Sequence, residues 1–307
     1  MKSNGTEVYI KQKNNSIGFQ PTIIKVQGTF MKVGFFDKIV WKEIINHASI
    51  ISVVFTITLA FVDIPKNIKI FSGVVFLVIF LVLYIFLLYK ANQAKLVEIK
   101  IDGSNVIVKF GDIFKEEGYK AIAFNEYFDT EINDRIISHS SLNGQYINNH
   151  LECSIDEING YIKNYKFNIS DFSGVNNDRK VGKKQKYKIG TICVHGEYLL
   201  TAFSKFNENN EARLTMPEYL GFLICFWDQV NRVYAQKSVS VPVFGSGITR
   251  IKEHKNISDE ELLKIMLWTY RISEMRFKYP AKLSIIIHES KRDLINLYEL
   301  KSVKNGI

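Results

Sequence analysis

From Phe71 to Tyr89 the chain runs FSGVVFLVIFLVLYIFLLY, nineteen residues without a charge. At about 1.5 Å of rise per residue, such a helix nearly crosses a hydrocarbon core of about 30 Å. A buried core helix would carry a polar stripe or stop after about a dozen residues, so the pattern predicts a transmembrane helix. Ile44 to Val62 is less apolar, with Asn46 and His47 at its start and Ser49, Ser52, Thr56 and Thr58 inside. Hydroxyls can bond back to their own helix and small residues allow close contact, so this segment is expected to insert by pairing with the other. Between them Asp63-Ile64-Pro65-Lys66-Asn67 reads as a tight turn, giving an antiparallel hairpin with both ends on one side. Lys32, Lys38 and Lys42 precede it and Lys90, Lys95 and Lys100 follow, against Lys66 and Lys69 at the turn. The positive-inside rule therefore places both termini in the cytoplasm. Neither position nor flanks suit a signal peptide.

Beyond the hairpin the period changes. Leu96–Ile101 and Asn105–Phe110, rich in β-branched residues and joined through Asp102-Gly103, predict a β-hairpin. Further strands are expected at 121–124, 187–203, 238–244 and 282–288. Thr215-Met216-Pro217-Glu218 and Ser258-Asp259-Glu260-Glu261 are capping boxes opening helices, the first with apolar positions Phe222, Phe226, Val230 and Val233, the second with Leu262, Ile265, Met266 and Tyr270. Strands alternating with capped helices argue an α/β layered domain with helices on both faces of a sheet. In residues 1–43 only Thr22–Val26 suggests a short strand or an interfacial segment, and the chain divides into that N-terminal segment, the hairpin at 44–89 and a domain at 90–307.

Composition refines the picture. Hydrophobic residues make up 47% and charged residues 23%, which excludes a disordered or low-complexity chain, and the mean hydropathy of −0.02 averages a membrane segment with a water-soluble domain. The net charge of +9 is densest near the apolar segments, with nine lysines against four acidic residues in 1–89. That suits an anionic lipid surface, and no aromatic-interleaved basic stripe points to nucleic acid. Cys153, Cys193 and Cys225 are widely spaced, so neither a disulfide framework nor a zinc site is encoded. His139, His150, His195, His254 and His288 form no metal-ligand spacing, and neither a metal nor a cofactor is expected.

Two loops follow strands as ligand sites do in α/β sheets. Val243-Phe244 runs into Gly245-Ser246-Gly247-Ile248-Thr249-Arg250, where glycines let a backbone approach phosphate oxygens; an ordinary tight loop is the plainer reading. Ser246 is no nucleophile, because Phe244 and Ile248 stand where G-x-S-x-G needs glycines. The second is Gly111-Asp112-Ile113, followed by a strand ending in Asn125. An Asp at a strand end can accept from an exocyclic amine and an Asn can bond sugar hydroxyls, though a turn Asp and a cap Asn are commoner. The basic run Arg179–Lys188 reads as solvated surface, with lipid headgroups or ligand phosphates as the alternative partner. Glu126, Asp129, Glu131 and Asp134 can form an acid/base cluster, though the polar start of a helix is the preferred reading.

Gly-Asp-Ile after a strand, a strand ending in Asn, and a late strand running into Pro-x-x-Gly-x-Gly-Ile together resemble the macro domain, an ADP-ribose-binding module, over about residues 96–290. With the hairpin in front, the chain resembles the membrane-anchored macro-domain effectors of type II Thoeris antiphage systems. The resemblance implies a three-layer α/β/α sandwich with a mixed sheet behind a two-helix transmembrane hairpin. It further implies a bacterial inner-membrane location and a TIR-domain partner making an ADP-ribose-derived signal such as histidine-linked ADP-ribose. Sensing that signal would trigger membrane disruption or growth arrest, with homo-oligomers expected. By position, Asp112 and Ile113 would hold the adenine, Asn125 the distal ribose, and Ser141, Leu142, Asn143, Gly144 and Gln145 a first phosphate-side loop. Gly245, Ser246, Gly247, Ile248, Thr249 and Arg250 would wrap the diphosphate from the other side. Phe124 before Asn125 and the glycine-poor stretch 140–146 depart from hydrolytic macro domains, so binding without turnover is expected. A membrane-tethered ADP-ribosyl hydrolase is the alternative.

Overall fold

The computed structural model describes residues 33–61, 65–207, 210–247, 250–251 and 257–300. The expected strand or interfacial segment at Thr22–Val26 and the turn residues 63–64 lie outside these. Two helices open the described chain, α1 (Lys38–Phe61) and α2 (Lys66–Asn92). Both extend beyond the apolar segments at their polar ends, and both are long and apolar enough to cross a membrane, α2 the more strongly. Pro65 immediately precedes α2, where its missing N–H costs nothing. Phe55 and Phe76 stack between the helices at 5.4 Å.

The remaining elements are β1 (Leu96–Ile101), β2 (Ser104–Phe110), β3 (Tyr119–Asn125), α3 (Leu142–Asn149), α4 (Ile155–Asn164), β4 (Phe172–Val175), β5 (Gln185–Tyr187), β6 (Ile192–His195), β7 (Tyr198–Phe206), β8 (Ala212–Leu214), α5 (Met216–Val233), β9 (Val239–Pro242), β10 (Arg250–Ile251), α6 (Asp259–Ile272) and β11 (Leu283–Ile287). They build a mixed sheet in the order β1-β2-β11-β9-β3-β7-β8-β10, with β6 also paired to β7, and β4 and β5 form a separate ribbon. Neighbours among β2, β11, β9, β3 and β7 pair in parallel, β1 is antiparallel to β2, β6 and β8 are antiparallel to β7, and β10 is parallel to β8.

Period-2 alternation in the central strands produces the layers. Tyr119 and Ala121 of β3 and Leu199 and Phe203 of β7 face one core, whereas Ile122, Phe124, Leu200 and Ala202 face the other. The first core is closed by α5 and α6 and the second by α3 and α4, completing the expected three-layer sandwich. Both expected capping boxes are formed, at Thr215/Glu218 and Ser258/Glu261. A third, Ser154/Glu157, starts α4. The single strand expected at 187–203 is instead β5, then β6 and β7 folded back on each other. Gly196, at φ +59°, makes the reversal, and His195 pairs with Tyr198 across it. The helix expected from Glu126 does not form, because 126–134 is an irregular loop with Phe128 and Asp134 at positive φ.

The larger core is densest where α5 meets the β9 end. Phe226 packs edge-to-face on Phe244 at 5.0 Å and on Trp227 at 5.0 Å, and Phe244 also meets Phe222 at 4.9 Å. Phe226→Ala is expected to cost about 3–5 kcal/mol, because those rings cannot collapse into the space left. Denaturant unfolding of the purified chain checks this, and a loss under about 1 kcal/mol would show a pliable core.

Candidate functional site

Parallel pairing aligns Phe110 with Ile287 and Pro242 with Ile286, and it runs β3 and β7 the same way. The loops after these strands therefore emerge at one edge of the sheet, where ligands bind in open α/β sheets. A cleft of about 1010 Å³ opens there, walled by the end of β3, the 131–143 loop with the start of α3, β8, and the loop after β9.

Of the expected site residues, Asn125, Ser141, Leu142, Asn143, Gly245, Ser246 and Gly247 line this cleft. Ile248 and Thr249 lie outside the described residues, and of Arg250 the backbone is described, paired in β10 with Arg213 of β8. Asp112 and Ile113 are not in the cleft wall. Asp112 is exposed at the same sheet edge, its carboxylate accepting from the Phe114 amide at 3.0 Å, and Ile113 is buried behind it. Three strand spacings separate the β2 end from the β3 end, about 14 Å, so Asp112 and Asn125 can meet one ligand only if it lies extended along the edge.

The stretch 141–145 is not a loop but the start of α3. Ser141 caps it, its Oγ accepting from the Gly144 amide at 3.2 Å. Gly144 serves packing: a Cβ there would stand 2.2 Å from the Ser138 carbonyl oxygen. Gln145 donates to the Ser140 carbonyl at 3.0 Å and closes the same corner. What faces the cleft is the first turn of α3, whose free N–H groups favour an anion. Gly247 is exposed with nothing within 4 Å of a Cβ built on it. Behind the opposite wall the Tyr219 hydroxyl donates to the Phe244 carbonyl at 2.8 Å and holds the turn into Gly245.

Sequence reasoning assigned the wall residues Glu131 and Asp134 to a helix start and missed Arg135, Glu211 and Arg213. It also misplaced a buried network. Asp129, 1% exposed, accepts from both guanidinium nitrogens of Arg179, at 2.7 and 3.1 Å, and from the Lys183 amide at 2.8 Å. Lys186 pairs with Glu126 at 3.2 Å. Arg179, Lys183 and Lys186 of the expected solvated run are thus turned inward onto the expected helix start, while Lys180, Lys184 and Lys188 are exposed. The Lys183 amine donates to the Phe128 carbonyl; burial pulls it from 10.5 to about 8, with the Asp129 charge opposing.

The mixed three-layer sheet, with its cleft beyond the carboxyl ends of the parallel strands, defines a macro-domain-like protein. The family model "Thoeris protein ThsA, Macro domain" matches residues 106–288. Thoeris protein ThsA of Bacillus amyloliquefaciens (strain Y2) is 40% identical over 237 residues, covering 75% of this chain and 77% of that protein. The chain belongs to the Thoeris ThsA macro-domain family, an antiphage defence family. Solved macrodomains of Oceanobacillus iheyensis are more distant. The structure with ADP is 16% identical with a TM-score of 0.37, covering 68% of this chain and 94% of that one. The structure with MES bound is 16% identical with a TM-score of 0.40, covering 69% and 98%. The family assignment rests on the first two.

The depressed Lys183 sets a pH dependence. Unfolded, the amine titrates near 10.4; folded, near 8, so between these values the unfolded chain binds more protons. The contribution of Lys183 to stability is therefore at its least below pH 8 and rises through the window to about 10.4. Denaturant unfolding at pH 7.5, 9 and 10 is expected to show wild type gaining on Lys183→Met as pH rises; a pH-independent difference would mean the amine is hydrated.

Proposed function

We propose that the chain is a membrane-bound antiphage effector whose macro domain senses an ADP-ribose-derived nucleotide. The observation that carries this reading is the cleft, which sets Asn125, the first turn of α3 and the open Gly247 around one space in a family member whose chain also holds two bilayer-length helices. The diphosphate lies between α3 and Gly245–Gly247, and Ile248, Thr249 and Arg250 are assigned to the same group. The distal ribose lies at Asn125 and the adenine toward Asp112 and Ile113. A TIR-domain protein supplies the signal, histidine-linked ADP-ribose or a relative, without needing to touch this chain. Residues 44–89 form a two-pass hairpin in the bacterial inner membrane, with 1–43 and the sensor at 90–307 both cytoplasmic and the flanking lysines on lipid headgroups. Copies associate through α1, where Asn46, Ser49, Val53 and Thr56 recur at heptad spacing on an exposed stripe. Occupied clefts then drive membrane disruption or growth arrest.

A route from cleft to hairpin supports this reading. Leu262 of α6 lies against the Gly245 turn, within 3.4 Å of a Cβ built there. From α6, Lys264 pairs with Glu299 at 2.9 Å and Asp259 with Lys291 at 2.9 Å, tying down the segment 289–300. That segment ends on the hairpin base: Tyr298 packs with Val40, Ile44, Leu87, Leu88 and Ala91, and its hydroxyl donates to the Glu43 carboxylate. A ligand that binds one arrangement of the Gly245 turn more tightly than another would bias α6 and, through Tyr298, the hairpin.

Gly247→Glu sets a bulky negative group at the anion site without crowding the fold, so the full chain in detergent is expected to lose ADP-ribose-induced thermal stabilisation. Asp112→Ala is expected to weaken ADP-ribose about ten- to a hundredfold. ADP-ribose conjugates are expected to stay intact. Unimpaired binding by Gly247→Glu would refute the cleft assignment, and steady release of ADP-ribose would favour the tethered hydrolase.

Tyr298→Phe and Glu43→Gln test the route. Each is expected to keep the wild-type thermal shift with ADP-ribose while lowering toxicity in cells that also produce the signal. Full toxicity at matched expression would remove the Tyr298 contact from the mechanism.

A further inference from the structure

Asn125 lines the cleft, yet most of its amide is already used. Its Oδ1 accepts from the Tyr127 amide at 3.0 Å and the Asp129 amide at 3.3 Å, and one Nδ2 hydrogen goes to Asp129 Oδ2 at 2.9 Å. An amide has two acceptor sites and two donor hydrogens, so a single N–H remains for a ligand. Asp129 in turn takes four hydrogen bonds, from Asn125, twice from Arg179 and from the Lys183 amide, two on each carboxylate oxygen. Arg179 lies 3.8 Å over the Tyr127 ring and donates to the Lys183 carbonyl at 2.6 Å and to Asn210 at 3.1 Å. Gly182, at φ +87°, is required there, since a Cβ would stand 2.8 Å from Asp129 Oδ1 and from the Arg179 guanidinium.

We propose that Asp129, held by Arg179, is the positioning residue that fixes the Asn125 amide with its one free N–H turned to the cleft, and that this sets preference for a nucleotide carrying a second ribose beyond its diphosphate. The inference rests on the nucleotide-sensor reading above. A rotated Asn125 amide would present its oxygen to the cleft and abandon two backbone N–H groups; the Asp129 carboxylate forbids that, because it repels the amide oxygen and attracts the N–H. Asn125 is thus a donor to a sugar hydroxyl oxygen. ADP, which lacks the distal ribose, makes no use of it.

The test compares ADP-ribose with ADP on the full-length chain in detergent, by calorimetry or thermal shift. Wild type is expected to bind ADP-ribose more tightly. Asp129→Asn, which keeps the shape but turns one acceptor into a donor, is expected to weaken ADP-ribose about tenfold and to leave ADP within about twofold. In an Asn125→Ala background the same substitution is expected to change the ratio by less than about twofold, because Asp129 acts through Asn125. A purely structural Asp129 would weaken both nucleotides alike, or weaken them further in the Asn125→Ala background; either result, or an unchanged ratio in Asp129→Asn, overturns the inference alone. Failure of wild type to bind either nucleotide overturns the sensor reading and this inference with it. If Asp129→Asn does not fold, Arg179→Lys carries the comparison, since it keeps the charge but loses the paired hydrogen bonds.

Discussion

Parallel pairing from β2 through β11, β9 and β3 to β7 is the constraint on which the rest depends. It sends five strand ends to one edge, so chemistry contributed by residues 110–113, 125–129, 206–213, 242–247 and 287–288 converges although the chain places them far apart. Hydrophobic alternation enforces that pairing, because a one-residue slip of β3 would exchange Ile122 and Phe124 with Ala121 and Ala123 between two differently shaped cores. The cleft is therefore a consequence of how the two cores are filled.

What could be read from the sequence was local. The apolar helices, the Asp-Gly hairpin and the boxes at Thr215 and Ser258 depend on residues within one or two turns of each other, and all appear where expected. Ser154-x-x-Glu157 carried the same signal, with Ile155, Ile158 and Ile162 behind it at helical spacing, so this short helix was as legible as the other two although it was not among the expected ones. The longer-range failures share one cause. Asp129 and Arg179 are fifty residues apart, and each sits among like charges that ordinarily stay in water. Nothing local distinguishes a basic run lying on the surface from one folded inward onto a carboxylate. Asn125 and Gly245–Gly247 line the cleft as their strand-end positions suggested, because strand ends define the edge. The conformation of 141–145 was not legible, because Ser141 caps a helix as readily as it begins a loop.

Two patterns of apolar exposure meet in one chain. Between Phe71 and Tyr89 every turn of α2 is apolar, and the exposed Leu77, Val78, Leu81 and Val82 would be a liability in water. In the sheet, by contrast, β1 exposes Leu96, Glu98 and Lys100 on one face and buries Val97, Ile99 and Ile101 on the other. The change from one regime to the other occurs within Lys90–Lys95, which leaves little slack between hairpin and sheet. Asn92 reinforces the junction: its side-chain oxygen accepts from the Val33 amide at 3.1 Å while its amide donates to Leu88.

The two polar contacts that matter most to the sensor reading differ in kind. Asp129 and Arg179 are a nearly solvent-free ion pair, and such a pair gains little net stability over an apolar filling once desolvation is counted. Its contribution is geometric: Arg179 ties Asp129 of the 125–129 turn to the Lys183 carbonyl of the 179–183 loop and to Asn210. The Tyr298–Glu43 contact is a single hydrogen bond to a carboxylate at the hairpin base, of the class worth about 1.5–3 kcal/mol. That is also the scale of coupling between distant sites, about 1–3 kcal/mol. On the sensor reading, a cleft braced by a buried pair would keep recognition from drifting, while a hairpin-base contact in which Tyr298 combines apolar packing with a hydrogen bond to Glu43 would let a difference in ligand affinity between two states move it.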